Sequence, residues 1–253
     1  MGMTESELYD FLNLAEDYMM DGFRHDHPPL SSGSTVEAQK SSPTDSARPS
    51  AAESAASAPT EAAPGSSRRQ ELEAITREVA ACTACALHRG RRNTVAGEGV
   101  IDPLVMIIGE GPGAEEDRSG KPFVGKAGNY LDRWLAAIAL DRRSNCFIGN
   151  IVKCRPPGNR DPLPEESAAC LPYLKRQIQI LKPKTILTLG RIATQILCSR
   201  SEGIGRLRGQ QLDYLGIPVV ATYHPSAVLR NTDLRAAVWE DLKRLRASLD
   251  LKP

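Results

Sequence analysis

The chain has 253 residues, of which 41% are hydrophobic and 25% charged, and this composition suits one α/β domain of ordinary size with additional material. No apolar run approaches the ~20 residues needed to cross a bilayer, and the acidic residues among the first 25 positions exclude a basic-then-apolar secretory signal. We therefore expect a cytoplasmic protein without membrane segments. In a reducing compartment its six cysteines serve metal binding or core packing rather than disulfides.

The formal net charge of +1 conceals an uneven charge distribution. Residues 1–67 hold 11 of the 31 acidic and 3 of the 32 basic residues, so residues 68–253 hold 20 acidic and 29 basic residues, a net charge of +9. A basic body suits a polyanionic partner such as nucleic acid, because Lys and Arg neutralise phosphates and release counterions. By charge alone, an ordinary solvated surface is an equally good explanation.

The first 67 residues divide into two segments. Residues 1–24 place apolar side chains at helical intervals behind Thr4, with Glu7 three positions later, and predict a short amphipathic helix. Residues 25–67 are rich in Ser, Ala, Pro and Thr and contain too few large apolar side chains to offset the entropy of ordering. This segment is predicted to be a disordered linker. The tethered helix is either a packing or solubility element or a docking helix for a partner protein.

From residue 68 onward, apolar runs alternate with helical patterns. Strands are predicted at 104–109, 146–152, 185–190 and 218–223, and helices near 127–140, 165–181, 190–198 and 233–249. Strands that are apolar on both faces belong to a parallel sheet with helices on each side, so the predicted fold class is α/β. Sites in such sheets lie at the carboxyl ends of the strands, here after residues 109, 150 and 223.

A glycine turn follows the first predicted strand. It reads GEGPGAEED at 109–117, and KPFVG follows at 121–125. Glycines let the backbone approach a ligand and direct N–H groups at it, as in a phosphate-binding loop. Three carboxylates at 115–117 and the missing Gly-Lys-Ser/Thr ending argue against that class. Phe123 either stacks on a base, an interaction of roughly 1–3 kcal/mol, or forms a hydrophobic plug under the loop.

Asn150 ends the second predicted strand and is followed by three cations, Lys153, Arg155 and Arg160. Its side chain carries both a donor and an acceptor and matches one edge of a pyrimidine with two hydrogen bonds. The alternative is an ordinary turn cap. His224 comes directly after the fourth strand and is either structural or catalytic.

The segment HPSAVLR follows the fourth strand at 224–230. Ser226 suggests a hydrolase nucleophile, but no Gly-x-Ser-x-Gly elbow surrounds it. We expect Ser226 to cap a turn or to contact a phosphate.

The cysteines fall into two groups. Four have the spacing of metal ligands, and they are Cys82, Cys85, Cys154 and Cys170. Four thiolates bind either Zn²⁺ or an iron–sulfur cluster, and spacing alone does not choose between them, although a zinc ribbon would bring a second C-x₂-C pair. Cys146 and Cys198 lie in a predicted strand and helix and are expected to pack in the core.

Taken together, the segments 109–125, 149–160 (GNIVKCRPPGNR) and 224–230 and the four cysteines resemble the family 4 uracil-DNA glycosylases. The likeness runs from about residue 75 to 247 and excludes residues 1–67. It implies a three-layer α/β/α sandwich around a four-stranded parallel sheet. It also implies a monomeric enzyme that excises uracil from single- and double-stranded DNA by hydrolysing the N-glycosidic bond, as the first step of base excision repair.

The resemblance also implies roles for individual residues. The four metal-ligand cysteines would hold a [4Fe-4S] cluster. The uracil pocket would use Glu110, Gly111, Glu116, Phe123 and Asn150, with the role of Glu116 left open. His224 would stabilise the leaving uracil, and Asn159 would position the attacking water. DNA contacts would come from Arg155, Arg160, Ser226, Leu229 and Arg230, with the last two on a loop that enters the gap left by the base.

One departure from related enzymes shapes the expected mechanism. Related glycosylases often carry an Asp in the first motif to orient water, whereas this chain has Gly111 at that place. We therefore predict a largely dissociative reaction, in which uracil departs before water attacks.

Two rival functions compete with this activity. A nucleic-acid-binding iron–sulfur module without catalysis need not keep Asn150, Asn159 and His224 together. A phosphotransfer enzyme is disfavoured by the acids at 115–117.

Overall fold

The structure, a computed structural model, describes residues 64–249, so the helix predicted at 1–24 and the linker up to residue 63 lie outside the described residues. The helices are α1 (Pro64–Ala81), α2 (Ala114–Ser119), α3 (Lys126–Ala137), α4 (Pro164–Leu181), α5 (Arg191–Cys198), α6 (Ile204–Leu207), α7 (Pro225–Arg230) and α8 (Arg235–Ser248). The strands are β1 (Glu98–Gly99), β2 (Val105–Gly109), β3 (Cys146–Asn150), β4 (Thr185–Leu189), β5 (Leu212–Tyr214) and β6 (Ile217–Thr222). Helix α1 thus begins within the segment predicted as linker.

The described strands form one mixed sheet in the order β1-β3-β2-β4-β6-β5. Its four central strands are parallel, as their apolar runs predicted. The prediction of four strands was incomplete, because β1 and β5 pair antiparallel at the two edges. Strand β1 has only two residues and β5 only three, and neither is buried, so neither leaves an apolar run in the sequence.

Helices cover the sheet on both faces. Met106, Ile108 and Ile186 share one apolar cluster with side chains of α4 and α5. On the opposite face the Thr185 hydroxyl lies 3.5 Å from that of Ser248 in α8, and α8 contacts β4 and β6. The architecture is therefore the expected three-layer α/β/α sandwich. No helix in residues 64–249 is both long and apolar enough to span a membrane.

The carboxyl ends of the four parallel strands lie at one edge of the sheet. Gly109 pairs with Asn150 at this edge, and β4 and β6 end beside them at Leu189 and Thr222. Strand β3 ends at Asn150, two residues earlier than predicted. The N–H groups of Ile151 and Val152 donate to the successive carbonyls of Gly109 and Glu110, whereas in a regular ladder only every second residue donates to the same neighbouring strand. Every segment that follows these strands therefore opens onto the same edge.

A buried ion pair supports the strand that leads to His224. Asp241 in α8 is fully buried and accepts a hydrogen bond from Arg208 Nε at 2.5 Å. The Arg208 guanidinium also lies over the ring of Tyr223, 4.9 Å from its centroid, a cation–π arrangement. Since Tyr223 directly precedes His224, this cluster fixes the end of β6 against α8.

Candidate active site

A cavity of about 510 Å³ opens at the carboxyl edge of the sheet, within the ~300–1,000 Å³ typical of small-molecule sites. It is lined by ten of the residues that the sequence analysis selected: Glu110, Gly111, Glu116, Phe123, Asn150, Asn159, Arg160, His224, Ser226 and Arg230. Arg155 and Leu229 do not line it. Residues up to 120 positions apart in the chain thus meet in one place.

Phe123 forms one wall of this cavity. It is buried, has a φ of +51°, and its ring centroid lies 5.7 Å from that of His224. Arg142 holds this unusual backbone by donating to the carbonyls of Pro122 (3.2 Å) and Phe123 (2.9 Å), and Asp132 binds the same guanidinium. These bonds fix the backbone that places the Phe123 ring beside His224.

Asn150 lies at the floor of the cavity with an unused acceptor. The residue is 1% exposed, and its buried Oδ1 has no hydrogen-bond partner among the described residues. A Cβ at Gly109 would lie 2.5 Å from this oxygen and 2.6 Å from the Phe123 ring, so only glycine at 109 leaves room for both side chains. An orphaned buried acceptor costs about 1–3 kcal/mol, and a ligand with a matching donor would recover that energy.

Glu116, whose role the sequence analysis left open, ties two loops together. Its Oε2 accepts from Gly113 N–H (3.1 Å), and its Oε1 accepts from the N–H groups of Val124 (2.9 Å) and Gly125 (3.1 Å). The glycine turn after β2 and the loop that carries Phe123 are thus joined through one carboxylate.

His224 is the N-cap residue of α7. Its Nδ1 accepts from Ser226 N–H at 3.2 Å and lies 2.8 Å from Ser226 Oγ. Burial lowers the pKa of His224 to about 4, with a further contribution from Arg230 and an opposing one from Glu116. The ring is therefore neutral at physiological pH, with its proton on Nε2. The cap that was expected from Ser226 is provided by the histidine ring.

Glu110 shares the cavity with a charged pair that the sequence analysis missed. The pKa of Glu110 is raised to about 7, mainly by burial and also by Asp161, while Arg191 acts in the opposite direction. Asp161 and Arg191 also line the cavity and form an ion pair at 2.5 Å. Arg191 follows the end of β4, and the strand-end rule would have found it had it been applied to all four parallel strands.

The arginines after β3 have partners within the protein. Arg155 Nε donates to Asn159 Oδ1 at 2.8 Å, and Asn159 has a φ of +55°. Arg160 donates to both carboxylate oxygens of buried Glu166, at 2.7 and 2.8 Å. No local sequence pattern indicates these bonds, which orient Asn159 and fix the turn beside it.

Two further predictions concern Gly111 and the segment 224–230. A Cβ at Gly111 would lie 2.7 Å from Val152 Cγ2, so an aspartate there would have to displace the Val152 side chain. Leu229 and Arg230 were expected on a loop, but they lie in helix α7, with Leu229 partly buried and Arg230 exposed. The loop prediction was wrong because His224 and Pro225 start a helix directly after β6.

All four cysteines with metal-ligand spacing line a second, small cavity. Arg91 donates to Cys154 Sγ and the Lys153 N–H to Cys170 Sγ, each at 3.2 Å, and such bonds stabilise thiolate ligands. Burial raises the pKa of Cys170 to about 11. Within residues 64–249 no three His, Cys, Asp or Glu side chains converge as ligands of one metal ion. Four cysteine sulfurs around one cavity are a donor set that suits either Zn²⁺ or an iron–sulfur cluster.

Comparison with known proteins places the chain in a family. Residues 96–243 match the model of the Uracil DNA glycosylase superfamily, and the chain belongs to that superfamily. It is 44% identical over 184 residues to the type-4 uracil-DNA glycosylase of Thermotoga maritima. This alignment covers 71% of this chain and 95% of that protein. The type-4 enzymes of Saccharolobus solfataricus and Pyrobaculum aerophilum are also 44% identical, covering 72% and 68% of this chain and 88% and 91% of theirs. The chain is therefore a member of the type-4 uracil-DNA glycosylases, which confirms the resemblance.

Gly128 in α3 lets this helix approach the Phe123 backbone. A Cβ at Gly128 would lie 1.9 Å from the Phe123 carbonyl oxygen, so Gly128→Ala must move the loop or the helix. We expect the free energy of unfolding in urea to fall by about 1–3 kcal/mol, as for other overpacked sites. Ordinarily a helical Gly→Ala change is stabilising, so a fall in the free energy of unfolding would indicate the close contact with the Phe123 backbone.

Gly90→Ala is the control, because Gly90 is exposed, has a φ of −111° that any residue adopts, and a Cβ there meets no atom within 4 Å. Its free energy of unfolding should stay within roughly 0.5 kcal/mol of the native value, as for ordinary surface substitutions. A Gly128→Ala protein as stable as the native one would show that α3 and the Phe123 loop do not pack this closely.

Proposed function

We propose that this chain excises uracil from DNA by hydrolysing its N-glycosidic bond and leaves an abasic site, the first step of base excision repair. The observation that carries the proposal is the buried Asn150 amide, whose unpaired Oδ1 lies in the same cavity as the Phe123 ring and a neutral His224. The relatives with 44% identity bear the name of this activity.

Base recognition follows from the chemistry of uracil. The Asn150 Oδ1 accepts from the uracil N3–H, and its amide group donates to the neighbouring carbonyl of the base. Cytosine has no hydrogen on N3, so it leaves the buried Oδ1 unpaired and is rejected. The Phe123 ring stacks on the base, which must first be flipped out of the duplex at a cost of a few kcal/mol.

His224 stabilises the departing base. Cleavage builds negative charge on uracil, and a fixed donor aimed at a uracil oxygen lowers the barrier because that charge grows in the transition state. Since Nδ1 accepts from Ser226, Nε2–H is the donor that the ring presents. A neutral donor needs no proton uptake before the reaction.

Water attack is assigned to Asn159. Its Oδ1 already accepts from Arg155 Nε, and its second lone pair is available to position a water molecule. An amide is a poor base, and Gly111 offers none, so we propose that uracil leaves before the water attacks. The Arg155 bond makes this arginine a positioning residue for Asn159.

DNA binding is assigned to the rim of the cavity. Arg160, Ser226 and Arg230 line it, and Leu229 lies on the same short helix as Arg230. The net charge of +9 on residues 68–253 suits contacts with phosphates. We propose that Leu229 fills the gap left by the flipped base and that the enzyme acts as a monomer on both single- and double-stranded DNA.

We further propose that the four metal-ligand cysteines hold a [4Fe-4S] cluster with a structural role. When bound, the cluster would join the segment after α1 to the segment from Cys154 to Cys170, with two cysteine ligands from each. The second segment includes Asn159 and Arg160, so the cross-links would fix the turn that positions water. Thiolate ligands persist in a reducing compartment, which is consistent with a cytoplasmic location.

Alkaline cleavage of a labelled oligonucleotide with one uracil tests the activity. The native protein should produce a break at uracil and none in a thymine control. His224→Ala should reduce the single-turnover rate by about 10²–10³, the loss typical of a deleted transition-state donor. If uracil DNA is bound but never cleaved, the binding-module alternative replaces the proposal.

The pH dependence of excision should report Glu110. Since its pKa is raised to about 7, the carboxyl group is protonated below pH 7 and ionised above it. An ionised Glu110 repels the charge on the departing uracil, so the single-turnover rate should fall as the pH rises through about 7.

Glu110→Gln should remove this fall in rate, whereas Glu115→Gln, which changes an exposed carboxylate beside the same cavity, should keep it. A rate that instead rises through pH 7 and levels off would identify Glu110 as a base that activates water.

Cys170→Ser tests the cluster. We expect the purified variant to lose iron and acid-labile sulfide, because a ligand of the cluster is removed. Cys198→Ser is the matched control: Cys198 lies in α5 away from the cysteine cavity, and its variant should retain both. Native protein containing zinc instead of iron, or Cys170→Ser protein with a full iron content, would contradict the assignment.

A further inference from the structure

Lys153 is a fully buried lysine between the two cavities. It is the largest fully buried side chain of the described residues, and in residues 64–249 no carboxylate forms an ion pair with it. Its Nζ donates to the Asn150 carbonyl at 3.0 Å and to Gln177 Oε1 at 2.9 Å. Burying an ammonium group is costly unless it is well bonded, so these contacts need a reason.

The two acceptors of Lys153 have different roles. The Asn150 carbonyl belongs to the residue whose side chain forms the floor of the active-site cavity. Gln177 in α4 is itself buried and donates to the Ala96 carbonyl at 2.8 Å, so it is a fixed point of the core. The Lys153 side chain therefore anchors the end of β3 to α4.

The backbone of Lys153 is also held at both ends. Its N–H donates to Cys170 Sγ at 3.2 Å, and its carbonyl accepts from Val95 N–H at 2.8 Å. The next residue is Cys154, a second cysteine of the same cavity. The lysine that binds the Asn150 carbonyl is thus itself positioned by a cysteine of that cavity.

We propose that Lys153 is a positioning residue for Asn150. Its Nζ closes the turn from 150 to 153 and sets the height of the Asn150 amide in the cavity, which governs how well Oδ1 meets the uracil N3–H. A displacement of this amide weakens the hydrogen bonds to the base and leaves the contacts of the α7 segment with DNA unchanged. The inference rests on the proposed excision of uracil and adds the residue that sets its base recognition.

The test separates base recognition from DNA binding in the full chain, after its iron content has been checked. Lys153→Met keeps the length of the side chain and removes its donors. We expect the inhibition constant of free uracil to rise about 10-fold or more, the effect of losing one or two hydrogen bonds, with affinity for an abasic duplex within about 2-fold of native. Lys184→Met, an exposed lysine at the amino end of β4, should change neither.

A second comparison shows whether Lys153 acts through Asn150. In an Asn150→Ala background, Lys153→Met should raise the uracil inhibition constant by less than about 2-fold, because coupled residues are non-additive. An equal factor in both backgrounds, or equal losses of uracil and abasic-DNA binding, overturns the proposal. If Lys153→Met does not retain iron, Gln177→Leu is used in the same comparison, because it keeps the lysine but removes the bond that anchors Nζ to α4.

The outcomes also distinguish this inference from the proposed function. A native protein that cleaves uracil DNA, together with a Lys153→Met protein of native uracil affinity, rejects the role of Lys153 alone. A native protein that does not cleave uracil DNA rejects the proposed function first.

Discussion

The parallel pairing of β2 with β3, which sets Gly109 beside Asn150, is the contact on which the rest of the site depends. The missing side chain at Gly109 leaves the space in which the Asn150 amide and the Phe123 ring meet. Around this contact, Glu116 joins the two loops of the pocket, Arg142 holds the Phe123 backbone and Lys153 holds the end of β3. A preorganised pocket of this kind needs little rearrangement when a base enters, so binding energy is not lost in ordering side chains.

The cavity combines paired charges with two ionisable groups whose charged forms are disfavoured. Arg160 and Arg191 line it in ion pairs with Glu166 and Asp161, whereas His224 has a lowered pKa and Glu110 a raised one. Both pKa shifts have the same main cause, because burial disfavours the charged form of a group. Burial also lowers the local dielectric and so strengthens hydrogen bonds to the departing base, while Arg230, an exposed cation that lines the same cavity, attracts the DNA backbone. This arrangement suits a reaction that separates charge inside a polyanionic substrate.

The sequence predicted the parts of the fold and site that leave local patterns. The four parallel strands appear as apolar runs. The pocket residues follow the carboxyl ends of these strands, where sites in parallel sheets form. The edge strands β1 and β5 are too short to leave such a pattern. Arg142 and Gly128 could not be selected either, because each acts on the Phe123 backbone only in the folded chain. Lys153 was selected only as one of three cations after Asn150, and its bond to Gln177, 24 positions away, could not be predicted. A buried lysine in particular looks like a surface residue until its contacts in three dimensions are known.

His224 has two roles, as a donor to the leaving base and as the cap of α7, and this affects how its variants are interpreted. The ring that faces the leaving base also caps α7 through Nδ1, and an N-cap side chain contributes about 0.5–2 kcal/mol to its helix. Loss of the ring in an alanine variant therefore loosens the helix that carries Leu229 and Arg230 as well as removing the donor. Asparagine at 224 retains a cap acceptor and lacks Nε2, so the difference between the two substitutions separates the chemistry of the imidazole from the anchoring of the helix.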